Sequence, residues 1–163
     1  MPLPVALAIR PATPDDYDAL SVIANAVHEM HAAAVPAVFR SGSAAMPENY
    51  YAYLLKNITG AVYVAEQAGE IVGYLVVETE QSRAGDGPTR RLIGHIEQIG
   101  VAREARRRGI GRALVETAIA WAKEQGADEL RLNVWEFNGD AIAFYEHLGL
   151  HTQSRTMSLP LKK

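Results

Sequence analysis

The chain has 163 residues, 48% of them hydrophobic and 21% charged, with a formal net charge of -3 and no cysteine. That length suits one domain over residues 1–163, burying about 70% of its unfolded surface. The mild negative charge argues against a general nucleic-acid binder, and the lack of cysteine excludes disulfides, thiolate metal sites and a thiol nucleophile.

Met1 to Ile9 carries no basic leader and too short an apolar run for a signal peptide, and no stretch reaches membrane-spanning length. A cytoplasmic protein without a membrane partner is expected. Val5 to Arg10 reads as a first strand. Thr13-Pro14-Asp15-Asp16 is a helix start in which Thr13 caps, Pro14 fits the first turn and Asp16 closes a capping box. The helix that follows puts Tyr17, Leu20, Ala24 and Val27 on one face and runs to Met30 or His31. Ala32 to Pro47, punctuated by Pro36, Gly42 and Pro47, reads as a mobile connection. A second helix spans Glu48 to Asn57.

Strands over Ala61 to Gln67 and Ile71 to Glu80 meet in a hairpin through Ala68-Gly69-Glu70. After a Gly- and Pro-rich loop from Gln81 to Thr89, a strand over Arg91 to Val101 returns antiparallel. A helix over Gly109 to Gln125 is stopped by Gly126, and a strand follows over Leu130 to Glu136. Asn138 or Asp140 caps the next helix, in which Ala141, Phe144, Tyr145 and Leu148 share a face and Gly149 ends the element. Two short strands, Leu150 to Ser154 and Thr156 to Leu161, close the chain. The order β-α-α-β-β-β-α-β-α-β-β describes a mixed α/β (α+β) fold: one open, mostly antiparallel sheet with helices on both faces.

The chemistry concentrates between His95 and Leu114, where a strand runs through an arginine cluster into a glycine-flanked helix start. Glycines let backbone N–H groups approach an anion, the helix N-terminus aims donors and its positive dipole end at it, and arginines add forked donors. Uncompensated arginines at that positive end would be unfavourable, so an anion is expected there. The motif is not a P-loop, because G-x-x-x-x-G-K-[ST] is absent, and it fails the dinucleotide fingerprint because Leu114 stands where Gly or Ala is needed. His28-Glu29-x-His31 is one residue short of the metalloprotease spacing and has no third ligand nearby, so no metal is expected.

Arg106-x-x-Gly109-x-Gly111, reached from Ile96-Glu97-Gln98-Ile99-Gly100-Val101, resembles the acyl-CoA signature of the GNAT superfamily of N-acyltransferases. Asn138-x-x-Ala141-x-x-Phe144-Tyr145-x-x-x-Gly149-Leu150 resembles the same superfamily's later strand-helix segment, with Leu150 where Phe is more usual. The resemblance implies a GNAT-like sheet and transfer of an acetyl or acyl group from acetyl-CoA to a primary amine by direct attack in a ternary complex. It implies that Arg106, Arg107, Arg108, Gly109, Ile110, Gly111 and Arg112 hold the CoA pyrophosphate. Pantetheine then pairs with the strand edge at Ile99, Gly100 and Val101, and Asn138 and Tyr145 also face the cofactor. Each hydrogen bond to a charged phosphate is worth about 1.5–3 kcal/mol, so several amides can carry much of a micromolar affinity.

Amine acylation needs a neutral nucleophile, a stabilised oxyanion and a protected leaving thiolate. Tyr145 is implied as the donor to the thiolate, and a backbone N–H near Ile99 as the oxyanion donor. Glu97 is implied as the base, acting directly or through water. His95 is the alternate, on the same face if the strand is regular. Tyr50, Tyr51 and Tyr53 are placed between core and acceptor pocket, and Trp121 in the core. The acceptor is a small-molecule amine or a protein or peptide amine, and related proteins suggest a homodimer through the terminal strands or the sheet edge. A non-catalytic acyl-CoA binding or sensing module on the same scaffold is the alternative, and an RNA-binding arginine patch a second.

Overall fold

The computed structural model describes residues 6–83 and 87–162. Val5 of the first expected strand and Gly85 and Asp86 of the expected loop lie outside the described residues. Contacts divide the chain into two compact units, 1–133 and 134–163.

The first unit contains a five-stranded sheet in the order β1-β2-β3-β4-β5, formed by Leu7–Pro11, Gly60–Gln67, Glu70–Gln81, Leu92–Val101 and Glu129–Leu132. The first four strands pair antiparallel, and β5 runs parallel to β4. Its helices are α1 (Tyr17–Ala34), α2 (Glu48–Lys56) and α3 (Ile110–Glu124). Along β3 the faces alternate. Tyr74 and Val76 join Leu20, Ile23, Ala24, Tyr51 and Leu54 of α1 and α2 in one core. The odd positions turn the other way: a Cβ on Gly73 would meet Ile110 and Leu114 of α3 at 3.2 Å. Both faces of the sheet are therefore helix-covered, as the sequence pattern implied. Trp121 is buried on α3 with Ile110, Leu114 and Ala118.

The capping signal at Thr13 to Asp16 folds as a 3-10 turn, Pro14–Asp16, that leads directly into α1. Thr13 donates its backbone N–H to Asp16 Oδ2 at 2.8 Å, and Arg10 of β1 reaches both Asp16 oxygens at 2.8 Å and Glu66 Oε2 at 2.8 Å. Asp16 is 6% exposed, and its contact with Arg10 holds its carboxyl down at about 2. The connection after α1 is more ordered than its sequence suggests. His28 Nε2 meets Arg40 O at 2.8 Å, Glu29 accepts from Ser41 Oγ and Gly42 N at 2.6 Å, Tyr17 donates to Met46 O, and Met46 is 1% exposed. The His28-Glu29-x-His31 segment thus clamps this loop to the helix, with Phe39 packed against both imidazoles.

Two features of β4 prepare the site. Gln98 pairs with Val76 but Ile96 pairs with Val77, so Glu97 is an extra residue, a β-bulge. β5 pairs only with Ile93 to Ile96. The expected strand over Leu130 to Glu136 therefore stops at Leu132, because the bulge bends β4 away just where the pairing would continue.

The second unit contains α4 (Gly139–His147), capped by Asn138, whose Oδ1 accepts from Ala141 N at 3.2 Å, and ended by Gly149 at φ 93°. The two terminal strands expected over Leu150 to Ser154 and Thr156 to Leu161 are not formed. Alternating side chains do not make a strand without a ladder, Pro160 has no N–H to donate, and Met157, Leu159 and Leu161 remain 80–90% exposed. The observed element order accordingly ends at α4.

Candidate active site

The arginine turn is built for an anion. Ala105 and Ile110 are buried and anchor its two ends, while residues 106–109 between them are exposed. Arg107 at φ 62° and Gly109 at φ 80° adopt left-handed conformations that turn the backbone back on itself. The first helical bond is Ala113 N to Gly109 O, so the amides just before it have no intrahelical acceptor. Gly109 caps α3 without a side chain, and the first turn contains no acid. The predicted stretch Arg106 to Arg112 is thus brought together as one positive, amide-lined turn.

Next to it, the outer edge of β4 is open in the sheet. Ala102 N donates to Val72 O, which fixes the phase of the antiparallel ladder: Gly100 and Gln98 bond to β3, while Ile99 and Val101 turn their N–H and C=O outward. Arg106 Nε reaches Val101 O on that side at 3.3 Å. Gly100 has a packing role. A Cβ there would lie 2.7 Å from Tyr74 Cε1 and 3.2 Å from Ile23 and Val27, so glycine is what lets α1 sit against the sheet.

The bulge assembles the acid–base cluster. Without it, Glu78 would face Ile96; with it, Glu78 faces His95. His95 Nδ1 lies 2.7 Å from Glu97 Oε1, an ion-pair contact in which the N–H is not aligned on the oxygen. Asn133 Nδ2 is 3.5 Å from His95 Nε2. The Glu97 carboxylate raises the His95 imidazole above its ordinary 6.5, and the same contact lowers Glu97. Glu78 is raised, first by burial and then by the Glu97 charge. An imidazole so placed can take a proton at Nε2 while its Nδ1–H faces a carboxylate.

The model of the acetyltransferase (GNAT) family matches residues 25–150. The chain belongs to the GNAT acetyltransferase family. An N-alpha-acetyltransferase of Sulfurisphaera tokodaii is 37% identical over 122 residues, covering 71% of this chain and 73% of that protein. A mutant of the BH1408 protein of Bacillus halodurans superposes with a TM-score of 0.89 at 30% identity, over 95% of this chain and 99% of that one. The aminoglycoside N-acetyltransferase AAC(6')-Iy, solved in complex with CoA, shares the fold with a TM-score of 0.73 at 15% identity, over 100% and 99% of the two chains.

Within this GNAT acetyltransferase, Asn138 and Tyr145 lie in the second unit. Asn138 caps α4, and burial pushes the Tyr145 phenol up to about 12. Of the three tyrosines on α2, Tyr51 is core and donates to Thr13 O at 2.6 Å. Tyr53 is 61% exposed and stacks on Tyr50, whose phenol is raised by burial and by the charges of Glu97 and Glu78. Sequence reasoning missed Glu78, Asn133 and Gln98, which accepts from the buried Tyr74 hydroxyl at 3.1 Å. Gln98 stood in the motif without a role, whereas only strand register relates Glu78 and Asn133 to it, and the bulge that sets the β3–β4 register left no local mark.

Proposed function

We propose that this protein transfers an acetyl group from acetyl-CoA to a primary amine by direct attack in a ternary complex, with a peptide α-amine as the first acceptor to test. The open β4 edge beside the arginine turn is the observation that carries this reading. Residues 134–150, which carry Tyr145 and the second signature, fall within the family match. Helix content adds nothing about compartment beyond this: among the described residues no helix is long and apolar enough to cross a membrane. The cytoplasm is the proposed location.

In the proposed mechanism, acetyl-CoA supplies the thioester, the amides of Arg107 to Arg112 bind its pyrophosphate, and pantetheine pairs with the outward Ile99 C=O and Val101 N–H. His95 takes the amine's proton at Nε2 and Glu97 steadies the imidazolium. This ordering, with His95 ahead of Glu97, follows from basicity, because a carboxylate held below its usual range is a poor base near neutrality whereas the raised imidazole is a good one. The freed amine attacks the carbonyl carbon, and the oxyanion is met by the Ile99 N–H. Collapse breaks the C–S bond. Tyr145 protects the departing thiolate by hydrogen-bond donation, since a phenol near 12 keeps its proton against a thiol near 8.5.

The S. tokodaii relative supports the α-amine. The test is acceptor-dependent thiol release from acetyl-CoA with a free peptide, the same peptide blocked at its N-terminus, and a panel of small amines. Release with the free peptide alone establishes the class. Equal release from the blocked peptide moves the acceptor to a side-chain amine, and release only with small amines removes the peptide reading.

A further inference from the structure

Glu78 has no role in the steps above, yet it stands directly opposite His95 in the β3–β4 ladder. Directly opposed residues project to one face with their Cβ atoms about 5 Å apart. That opposition exists only because Glu97 is inserted as a bulge; in a regular ladder His95 would face Thr79. The Glu97 carboxyl faces both neighbours. It lies 2.7 Å from His95 Nδ1 and within hydrogen-bonding reach of the Glu78 carboxyl.

Two carboxyl groups in contact resist carrying two charges, so one of them keeps a proton more readily and can donate it to the other. The half-buried Glu78 is the proton-bearing member, because its ionised form is disfavoured by burial and by Glu97, whereas His95 favours the ionised form of Glu97. The geometry then reads as a relay in which Glu78 O–H donates to the Glu97 carboxylate, which faces His95 Nδ1–H. The other charged or titratable groups around His95 are Glu80 on β3, Tyr50 on α2 and Arg131, its register partner on β5. Arg131 is itself ion-paired with Glu129.

We infer that Glu78 is a positioning residue for the acyl transfer proposed above: from the facing strand it holds the Glu97 carboxylate against His95 across the bulge, so that the three groups handle the amine's proton as one unit. The inference rests on the acetyltransferase reading for its rate effects but not for its effect on the imidazole.

The test compares Glu78→Ala and Glu78→Gln in the full chain, by steady-state kinetics with acetyl-CoA and by NMR titration of the His95 ring. Glu78→Ala should lower kcat about tenfold, leave KM for acetyl-CoA unchanged, and move the His95 titration to lower pH. Glu78→Gln keeps an N–H donor for Glu97 and, like the protonated Glu78, carries no charge, so it should restore most of the turnover and a His95 titration close to wild type. A folded Glu78→Ala protein whose His95 titrates as in wild type overturns the inference, as does a Glu78→Gln protein as slow as the alanine variant. Should Glu78→Ala fail to fold, Glu78→Met, which keeps the side chain's length and offers Glu97 no donor, takes its place: a downward shift of the His95 titration supports the inference and an unmoved curve overturns it. If wild type releases no thiol with any amine, the acetyltransferase reading falls, and the titration still decides whether Glu78 acts on His95.

Discussion

The arginine turn and the Glu78–Glu97–His95 cluster lie on the same β4 and are built in opposite ways. The turn is contiguous: residues 106–112 carry its charge, its left-handed corners at Arg107 and Gly109, and the amides of the α3 start that lack an intrahelical acceptor, all within one loop and helix start. The cluster draws on two strands and exists because one inserted residue shifts their register. A contiguous device can be read from its letters and damaged by a single local change in shape or charge. A cross-strand device depends on geometry that no short stretch of sequence encodes, and its members alter one another's protonation. The account therefore predicts separable failures: binding should fail at the turn, turnover at the cluster.

The largest effect should come from His95→Ala, which removes the proposed base. Turnover should fall on the order of a hundredfold or more, with acetyl-CoA affinity by calorimetry unchanged. An equal loss of affinity would break the division of labour.

Gly109→Asp makes the complementary cut. A Cβ there meets open space, and aspartate tolerates positive φ better than most non-glycine residues, so the change costs some backbone strain at φ 80° and places a carboxylate in the turn. Acetyl-CoA should bind about tenfold to a hundredfold more weakly, the loss of one or two charged hydrogen bonds, while kcat at saturating acetyl-CoA stays close to wild type.

A smaller effect, and a sharper probe of the cluster, is the pH profile. His95 must be neutral to accept a proton, and its contact with Glu97 raises it, so the acid limb of kcat should lie above 6.5. Glu97→Gln removes that contact, and the limb should move to lower pH as kcat falls. An unmoved limb would detach Glu97 from the base.

The smallest functional effect is expected at Asp16, remote from both devices in its role. Its carboxyl is depressed from 3.8 to about 2 by Arg10, so its contribution to stability is present above pH 3.8 and is lost as pH falls toward 2. Asp16→Asn should lower unfolding free energy by about 2 kcal/mol in urea denaturation at neutral pH and leave kcat and acetyl-CoA affinity alone.

What was legible in the sequence follows the same divide. Thr13 and Asp16 announced the start of α1, Gly109 and Gly126 bracketed α3, and the apolar alternation of β2 and β3 gave the hairpin, because each signal is local. The arginine turn was legible for the same reason. His95 and Glu97 were read as alternative bases on one face, on the premise of a regular strand. The bulge brings them together differently, placing His95 against Glu78 and adding Asn133 at the end of β5. Gly100 stood in a cofactor-edge motif, and only the packed structure reveals that it also makes room for Tyr74 and α1. The terminal segment failed for the converse reason: Met157, Leu159 and Leu161 alternate as a strand would, yet a strand is a property of a pair.

The central claim is that this chain holds acetyl-CoA and passes its acetyl group to an amine. Its most direct test is one titration of wild-type protein with acetyl-CoA in a calorimeter, followed by thiol release and mass analysis of the acceptor in the same sample after a free peptide or amine is added. The account predicts saturable binding, and release that begins only with the acceptor and matches the new amide mole for mole. Binding without acceptor-dependent release would make the protein a sensor of acyl-CoA, and no binding at all would contradict the account at its root.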